Sequence, residues 1–304
     1  MEHEAETVEL GRTNLRVSSL GVGTNTWGSR AGPDPDKRAT FDAILDSGIT
    51  LIDTAEVYGA SEQTIGHCIR ESTRRPAVLT KFAPLPWRLG KRAMISALRR
   101  SLSRLSLTTM DVYLLHFPSP PVSLETWADA LADAVEAGLT RAVGISNCNP
   151  AQTRRVHTVL AARGIPLACN EVGFSLLRRN PEHNGLLNVC KELGVTLIAY
   201  QPLASGMLSG KYDSKHRPGG IRRLIYNSRY LTRIQPLLEA LKRIADARGK
   251  TVSQVALNWI LCKGALPIPG AKSPEQARLN AGAMGWRLTS AEVAELEAVD
   301  ILPH

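Results

Sequence analysis

Along the chain, short runs of apolar-rich residues alternate with longer stretches in which apolar positions recur every three or four residues. The short runs fall at 20–23, 50–53, 77–80, 112–115, 142–145, 167–170, 196–199 and 265–268. Their length suits buried parallel strands, and the stretches between them carry the period of amphipathic helices. The pattern predicts helices at 36–47, 61–71, 91–105, 124–137, 150–162 and 181–193, and after a gap at 236–248 and 252–262. Several open on Asp, Ser or Pro and close at Gly48, Gly138, Gly164 or Gly194, residues that helix starts and stops prefer.

Eight strand-and-helix units over about 250 residues predict an α/β fold of the closed (β/α)8 TIM-barrel class, in preference to an open doubly wound sheet. Ahead of the first unit, Val8 to Val17 reads as a β-hairpin with a Gly/Asn turn, expected to plug the closed end of the barrel. No linker or internal repeat divides the chain, so residues 1–304 are expected to form a single domain. The segment 205–233 is the longest without a strand and carries Gly206, Gly210, Pro218, Gly219 and Gly220. A loop of that length in a compact domain predicts a lid or a binding loop.

Composition narrows the function classes. A hydrophobic share of 43% with 21% charged residues excludes a disordered chain and a coiled coil. No apolar stretch approaches the ~18 residues that cross a bilayer, and the acidic opening at Glu2, Glu4 and Glu6 is unlike a secretory signal. A cytoplasmic chain is expected. The five cysteines are odd in number and scattered singly, which fits reduced thiols rather than a disulfide framework or a zinc knuckle. The net charge of +9 is spread in pairs such as Arg74-Arg75 and Arg154-Arg155, with no aromatic-interleaved patch for nucleic acid. It suits attraction of a phosphorylated ligand instead.

In a barrel of this class the reacting groups lie at the carboxyl ends of the strands. Those positions hold Asp53, Lys81, His116, the pair Ser146 and Asn147, Glu171, and the pair Tyr200 and Gln201, after strands two to seven of the eight. Ionisable side chains end three consecutive strands and converge on one mouth. Other chemistries lack their residues: Gly21-x-Gly23 continues to Thr26 where a dinucleotide fingerprint wants glycine, and there is no P-loop, Gly-x-Ser-x-Gly elbow or His-Glu-x-x-His set.

The run Asp53-Thr54-Ala55-Glu56-Val57-Tyr58-Gly59 resembles the aldo-keto reductase superfamily. The likeness continues through Thr80-Lys81, Leu114-Leu115-His116, Gly144-Ile145-Ser146-Asn147, Tyr200-Gln201-Pro202-Leu203-Ala204-Ser205-Gly206 and Ile268-Pro269-Gly270-Ala271-Lys272, and spans roughly residues 8–300. Gly282-Ala283-Met284-Gly285-Trp286-Arg287-Leu288 is similar to the plant-plastid-type and bacterial members. The resemblance implies NADPH-dependent reduction of aldehydes or ketones to alcohols, with a tetrad of Asp53, Tyr58, Lys81 and His116. Tyr58 would be the general acid, its pKa lowered by Lys81, with Asp53 holding Lys81 charged and His116 orienting the carbonyl.

For the cofactor, NADPH or NADP+, the same likeness implies Gly23, Thr24, Asp53, Ser146, Asn147, Glu171 and Tyr200 near the nicotinamide. It implies Gln201, Pro202, Leu203, Ser205 and Lys211 over the pyrophosphate, and Gly270, Lys272, Gln276 and Asn280 at the adenosine phosphate, so that carboxyl-terminal loops serve cofactor and substrate. Glu171 departs from the family, which usually has glutamine there. Trp27 and Trp87 are expected beside Tyr58 and His116 at the substrate opening. No metal is implied. A second reading is an NADPH-sensing regulatory subunit resembling the potassium-channel beta subunits. The partner that the aldo-keto reductase resemblance implies is a small-molecule carbonyl substrate.

Overall fold

The computed structural model describes residues 6–29, 34–213, 216, 219 and 226–299. β1 (Thr7–Glu9) and β2 (Arg16–Ser18) form an antiparallel hairpin. The strands β3 (Val22–Gly23), β4 (Leu51–Asp53), β5 (Ala77–Phe82), β6 (Met110–Leu115), β7 (Thr140–Ser146), β8 (Leu167–Gly173), β9 (Thr196–Tyr200) and β10 (Leu266–Pro267) then pair in chain order, all parallel. The two ends of this sheet meet. Gly21 N donates to Pro267 O at 3.0 Å, Gly23 N donates to Pro269 O at 3.1 Å, and Gly23 bridges Gly270 in parallel.

Alternation along each strand divides the core in two. Leu51, Leu79, Val112, Leu114, Ala168, Cys169, Ile198 and Leu266 fill the interior of the ring, together with Leu10, Leu15 and Val17 of the hairpin. Their neighbours in sequence, including Ile52, Val78, Tyr113, Val143 and Leu197, belong to a second cluster with the helices outside. The hairpin closes the end where the strands begin. Gly11 N donates to Thr196 Oγ1 at 2.8 Å and Ser18 N to Thr50 Oγ1 at 2.7 Å, both at the amino ends of strands. Gly11 has φ +64°, and a Cβ there would lie 2.6 Å from Ala168 O, so only glycine lets the hairpin sit this deep.

Between the strands lie helices at Pro35–Asp46, Ser61–Glu71, Lys91–Leu105, Leu124–Glu136 and Pro150–Ala161, within a residue of their expected bounds. The expected helix at 181–193 is instead two, Asn180–His183 and Leu186–Leu193, parted by Gly185 at φ +80°. Asn184 accepts from Leu186 N there and starts the second piece. The helix expected from Pro236 begins earlier, at Ser228, and carries the proline in its interior. Asn227 caps it, and the buried stripe of Leu231, Ile234, Leu237, Leu238 and Leu241 outweighs the ~3 kcal/mol that an interior proline costs. After Val252–Cys262 come Pro274–Ala281 and Ser290–Glu297, which the apolar pattern did not single out. Lys215, Pro218 and Gly220 of the expected long loop lie outside the described residues. No described helix is long and apolar enough to cross a membrane.

Candidate active site

Two residues beyond an interior apolar side chain, a strand again faces inward. That places Asp53 above Leu51, Lys81 above Leu79, His116 above Leu114, Glu171 above Cys169 and Tyr200 above Ile198, one ring at the carboxyl mouth of the barrel. Three of them are ionisable and nearly sealed from water: Asp53 is 3% exposed, Lys81 0% and Glu171 2%. The Lys81 ammonium pairs with Asp53 Oδ1 and donates to Thr54 O at 3.0 Å. It also lies 3.2 Å from Glu171 Oε2, close enough to pair but not aligned as a hydrogen bond, so that Oε2 is left without a donor. The Glu171 and Asp53 carboxyls are themselves within hydrogen-bonding reach. One cation thus serves two carboxyl groups.

Tyr58 comes from the loop after β4. Its ring centroid is 5.2 Å from Lys81 Nζ and 5.9 Å from that of His116, edge-on at 78°. The loop is held where side chains are excluded. Ala60 N donates to Gly28 O at 3.2 Å, and a Cβ on Gly28 would fall 1.7 Å from Tyr58 O. Glu56, two residues before Tyr58, accepts from Ala83 N at 2.8 Å and pairs with Arg88, tying this loop to the one after β5.

Burial and the Lys81 charge together decide the protonation states. Burial opposes the charge on Lys81, but Asp53 and Glu171 outweigh it and hold the ammonium well above its ordinary range. Burial pushes Tyr58 up to about 12, with Lys81 pulling the other way. Lys81 acts on the phenol in the expected direction, but desolvation of the phenolate is the larger effect, so the phenol ends above its ordinary value. Burial, then the Lys81 charge, brings His116 down to about 4, which leaves the imidazole neutral near pH 7. Burial, reinforced by Asp53 and opposed by Lys81, raises Glu171 to about 8.

A cleft of about 700 Å3 opens above this ring. Asp53, Tyr58, His116 and Glu171 line it, with Ser146, Asn147 and Tyr200. So do Gly23, Gln201, Pro202, Leu203, Ser205, Lys211, Gly270, Lys272, Gln276 and Asn280. Other expected residues lie elsewhere. Lys81 is beneath the floor. Thr24 is buried outside the cleft, its hydroxyl donating to Asp53 O at 2.8 Å, so it braces β4. Trp27 is packed in the outer core with its indole N–H on Ala271 O at 2.8 Å, and Trp87 is 74% exposed and outside the cleft lining. Both tryptophans are corrections to the expected substrate opening. The described cleft also includes Asn25, Thr26, Ser209, Thr251 and Ser253, which the sequence reading missed. The signal for the last two was present: Thr251 and Gln254 form a capping box that starts a helix at the mouth.

The lining is held by its own hydrogen bonds. Ser146 Oγ donates to Glu171 O at 2.8 Å, and Asn147 Nδ2 donates to Ser146 Oγ at 2.9 Å and to His116 O at 3.0 Å. Tyr200 donates its hydroxyl to Asn147 Oδ1 at 2.9 Å, which fixes the ring. The cap of the helix Pro150–Ala161 is Asn149, which leaves Ser146 and Asn147 to the cleft. Six described non-glycine residues have positive φ, and four of them, Asn147, Gln201, Ala204 and Ser205, cluster at this cleft. Such backbone costs energy and concentrates at binding sites. At the far rim, Lys211 and Lys272 have no carboxylate partner among the described residues, and Lys272 adjoins the amino end of the helix Pro274–Ala281. That rim favours an anion.

The sequence profile of the Aldo/keto reductase family matches residues 19–301. The chloroplastic pyridoxal reductase of Arabidopsis thaliana is 41% identical over 305 residues, covering 93% of this chain and 83% of that protein. Among solved structures, the glycerol dehydrogenase from Gluconobacter oxydans superposes with a TM-score of 0.87 at 26% identity, covering 98% of this chain and 95% of that one. An aldo-keto reductase from Klebsiella pneumoniae, solved in complex with NADPH, gives a TM-score of 0.78 at 30% identity, covering 98% and 96%.

Proposed function

The chain belongs to the aldo/keto reductase family and is an oxidoreductase, and from that premise we propose that it reduces aldehydes or ketones to alcohols with NADPH, Tyr58 supplying the proton. The observation that carries this reading is the placement of Tyr58 and His116 in one cleft directly above a buried, charged lysine.

The residues fit a dinucleotide phosphate. At the rim, Lys211 and Lys272 have no carboxylate partner among the described residues, and Gln201, Ala204 and Ser205 adopt left-handed backbone in the segment that borders the cleft. At the seam a Cβ on Gly23 would meet Ile268 O at 3.2 Å, a tight contact that glycine avoids. In this reading Ser146 and Asn147 hold the carboxamide, and Tyr200 presents its fixed ring. Gln201, Pro202, Leu203, Ser205 and Lys211 take the pyrophosphate, and Lys272, Gln276 and Asn280 the adenosine phosphate.

When bound, NADPH supplies the hydride. Tyr58 Oη then gives its proton to the oxygen of the former carbonyl. A phenol pushed up to about 12 is a weak acid, but an alkoxide is a far stronger base than a phenolate, so the transfer runs downhill. Lys81 stabilises the phenolate left behind, and Asp53 anchors Lys81 through their ion pair. A neutral His116 keeps one ring N–H to donate to the carbonyl oxygen, which orients the substrate without adding a second cation.

The similarity to a pyridoxal reductase makes pyridoxal the first aldehyde to assay, beside aliphatic aldehydes and glyceraldehyde 3-phosphate. Consumption of NADPH by the wild type, and its loss in Tyr58→Phe, is the expected result. Tight NADPH binding with no turnover of any carbonyl would overturn the reductase reading in favour of a sensing subunit.

A further inference from the structure

Glu171 is the one acidic side chain at the cleft floor that the proposed reduction does not use. Its surroundings are unusual for a carboxylate. It is 2% exposed, it lines the cleft, and its Oε2 has no hydrogen-bond donor although it lies 3.2 Å from the Lys81 ammonium. The donors of Lys81 are directed to Asp53 and Thr54 O. If Asp53 and Glu171 were both ionised, one buried cation would face two buried anions, and uncompensated charge in such a site is expensive. A single proton shared between the two carboxyls removes that imbalance.

We infer that Glu171 holds this proton and thereby selects the redox state of the bound dinucleotide: as the acid it is a neutral hydrogen-bonding group, and once ionised it favours the oxidised, positively charged form. The inference rests on the reductase reading above. Hydride must be delivered to a carbonyl that Tyr58 and His116 hold, so the reacting ring has to lie at the floor that Glu171 helps to form. A negative charge in that low-dielectric space stabilises a cationic ring and does nothing comparable for a neutral one.

The groups that face Glu171 agree on the direction. Asp53 from β4 disfavours its ionisation, and Lys81 from β5 favours it. Burial raises Tyr58 and Cys169, which keeps both uncharged near neutrality, and His116 is neutral. Burial is the largest influence and brings the Glu171 carboxyl to about 8. The acid form therefore dominates at pH 7 and is lost as the pH rises through that value. In the acid form Glu171 can donate a hydrogen bond as well as accept one, which a carboxylate cannot do. It then offers the donor and the acceptor of an amide, with the addition of a proton that can leave.

Two measurements test this on the intact protein. Infrared difference spectra of the ligand-free wild type and Glu171→Gln report the carbonyl stretch of a protonated carboxylic acid. The band is expected at pH 7 in the wild type, fading toward pH 9, and absent in the variant. Isothermal titration in buffers of different ionisation enthalpy then counts protons on binding NADP+ and NADPH. Near pH 8 the wild type is expected to release more protons with NADP+ than with NADPH, a difference that cancels any titration of the shared phosphates. The ratio of dissociation constants should shift toward NADP+ by roughly 5-fold between pH 7 and pH 9, about 1 kcal/mol, and stay flat in Glu171→Gln. A band that persists in Glu171→Gln assigns the proton elsewhere and overturns the inference. So does a ratio that follows pH equally in both proteins. Failure of both dinucleotides to bind, with the acid band present, instead refutes the reductase reading and the redox selection built on it.

Discussion

Replacing Lys81 by methionine tests the central electrostatic claim. Methionine keeps much of the length of the side chain and deletes the charge, so the floor is left with two carboxyls and a phenol. The ammonium is 5.2 Å from the Tyr58 ring centroid. At an effective dielectric of 20, a unit charge at that distance favours the phenolate by about 3 kcal/mol. Had the transition state moved the proton fully, the loss would be roughly 200-fold in kcat, and with half-transfer roughly 10-fold. A fall of about 10- to 200-fold in kcat for aldehyde reduction is the expected result, with NADPH affinity, followed by fluorescence titration, within a few-fold of wild type. The loss of the cation also raises both carboxyls further. Their acid forms are then favoured in the folded state, so the destabilisation of the variant grows as pH rises from the ordinary carboxylate range toward the raised values. Thermal melts at several pH values read this directly. A folded Lys81→Met that keeps kcat within about 3-fold of wild type would refute the argument.

Tyr58→Phe should lower kcat by at least ~10²-fold while NADPH still binds, as expected for loss of a positioned general acid; steady-state kinetics and a binding titration check both halves. Lys272→Ala should weaken NADPH by roughly 10-fold and NADH much less, since it removes a charge-assisted contact to the extra phosphate; equal losses would show that Lys272 does not read it. With His116 brought down to about 4, kcat for reduction should show no imidazole inflection near ~6.5. An inflection there that disappears in His116→Gln would mean that the ring titrates as if exposed. Gly28→Ala puts a methyl 1.7 Å from Tyr58 O, so the loop must shift; we expect a loss of about 2 kcal/mol in stability or more, with a drop in kcat, read by chemical denaturation and kinetics.

The barrel was legible because its strands are short apolar runs and its mouth falls at the carboxyl end of each run. Asp53, Lys81, His116 and Glu171 were found in that way, from local pattern alone. The contact of Glu171 with Lys81 was not, because β8 and β5 are not neighbours. Only closure of the ring makes them touch. Trp27 misled for a related reason: it follows the first barrel strand, where a mouth residue is expected, but its N–H finds Ala271 O and the ring turns into the outer core. At Pro236 the local rule was sound and lost to burial of a leucine-rich face whose partners lie elsewhere in the chain.

The seam where β10 meets β3 has one further property. Successive residues of a parallel strand point their amides to opposite neighbours. Ile268 N donates to Ala199 O on the β9 side, so residues 267 and 269 face β3. Both are proline and have nothing to donate. The seam is therefore fastened from one margin only, through Gly21 N and Gly23 N. Thermal breathing of the ring should begin along this line, with these two glycine amides exchanging with deuterium ahead of those in β5 to β8. Gly23, Ile268, Pro269 and Gly270 also border the cleft, so a molecule seated there touches both margins. Occupancy then acts as a clasp, and slower exchange at Gly21 and Gly23 becomes a gauge of how firmly the clasp is shut.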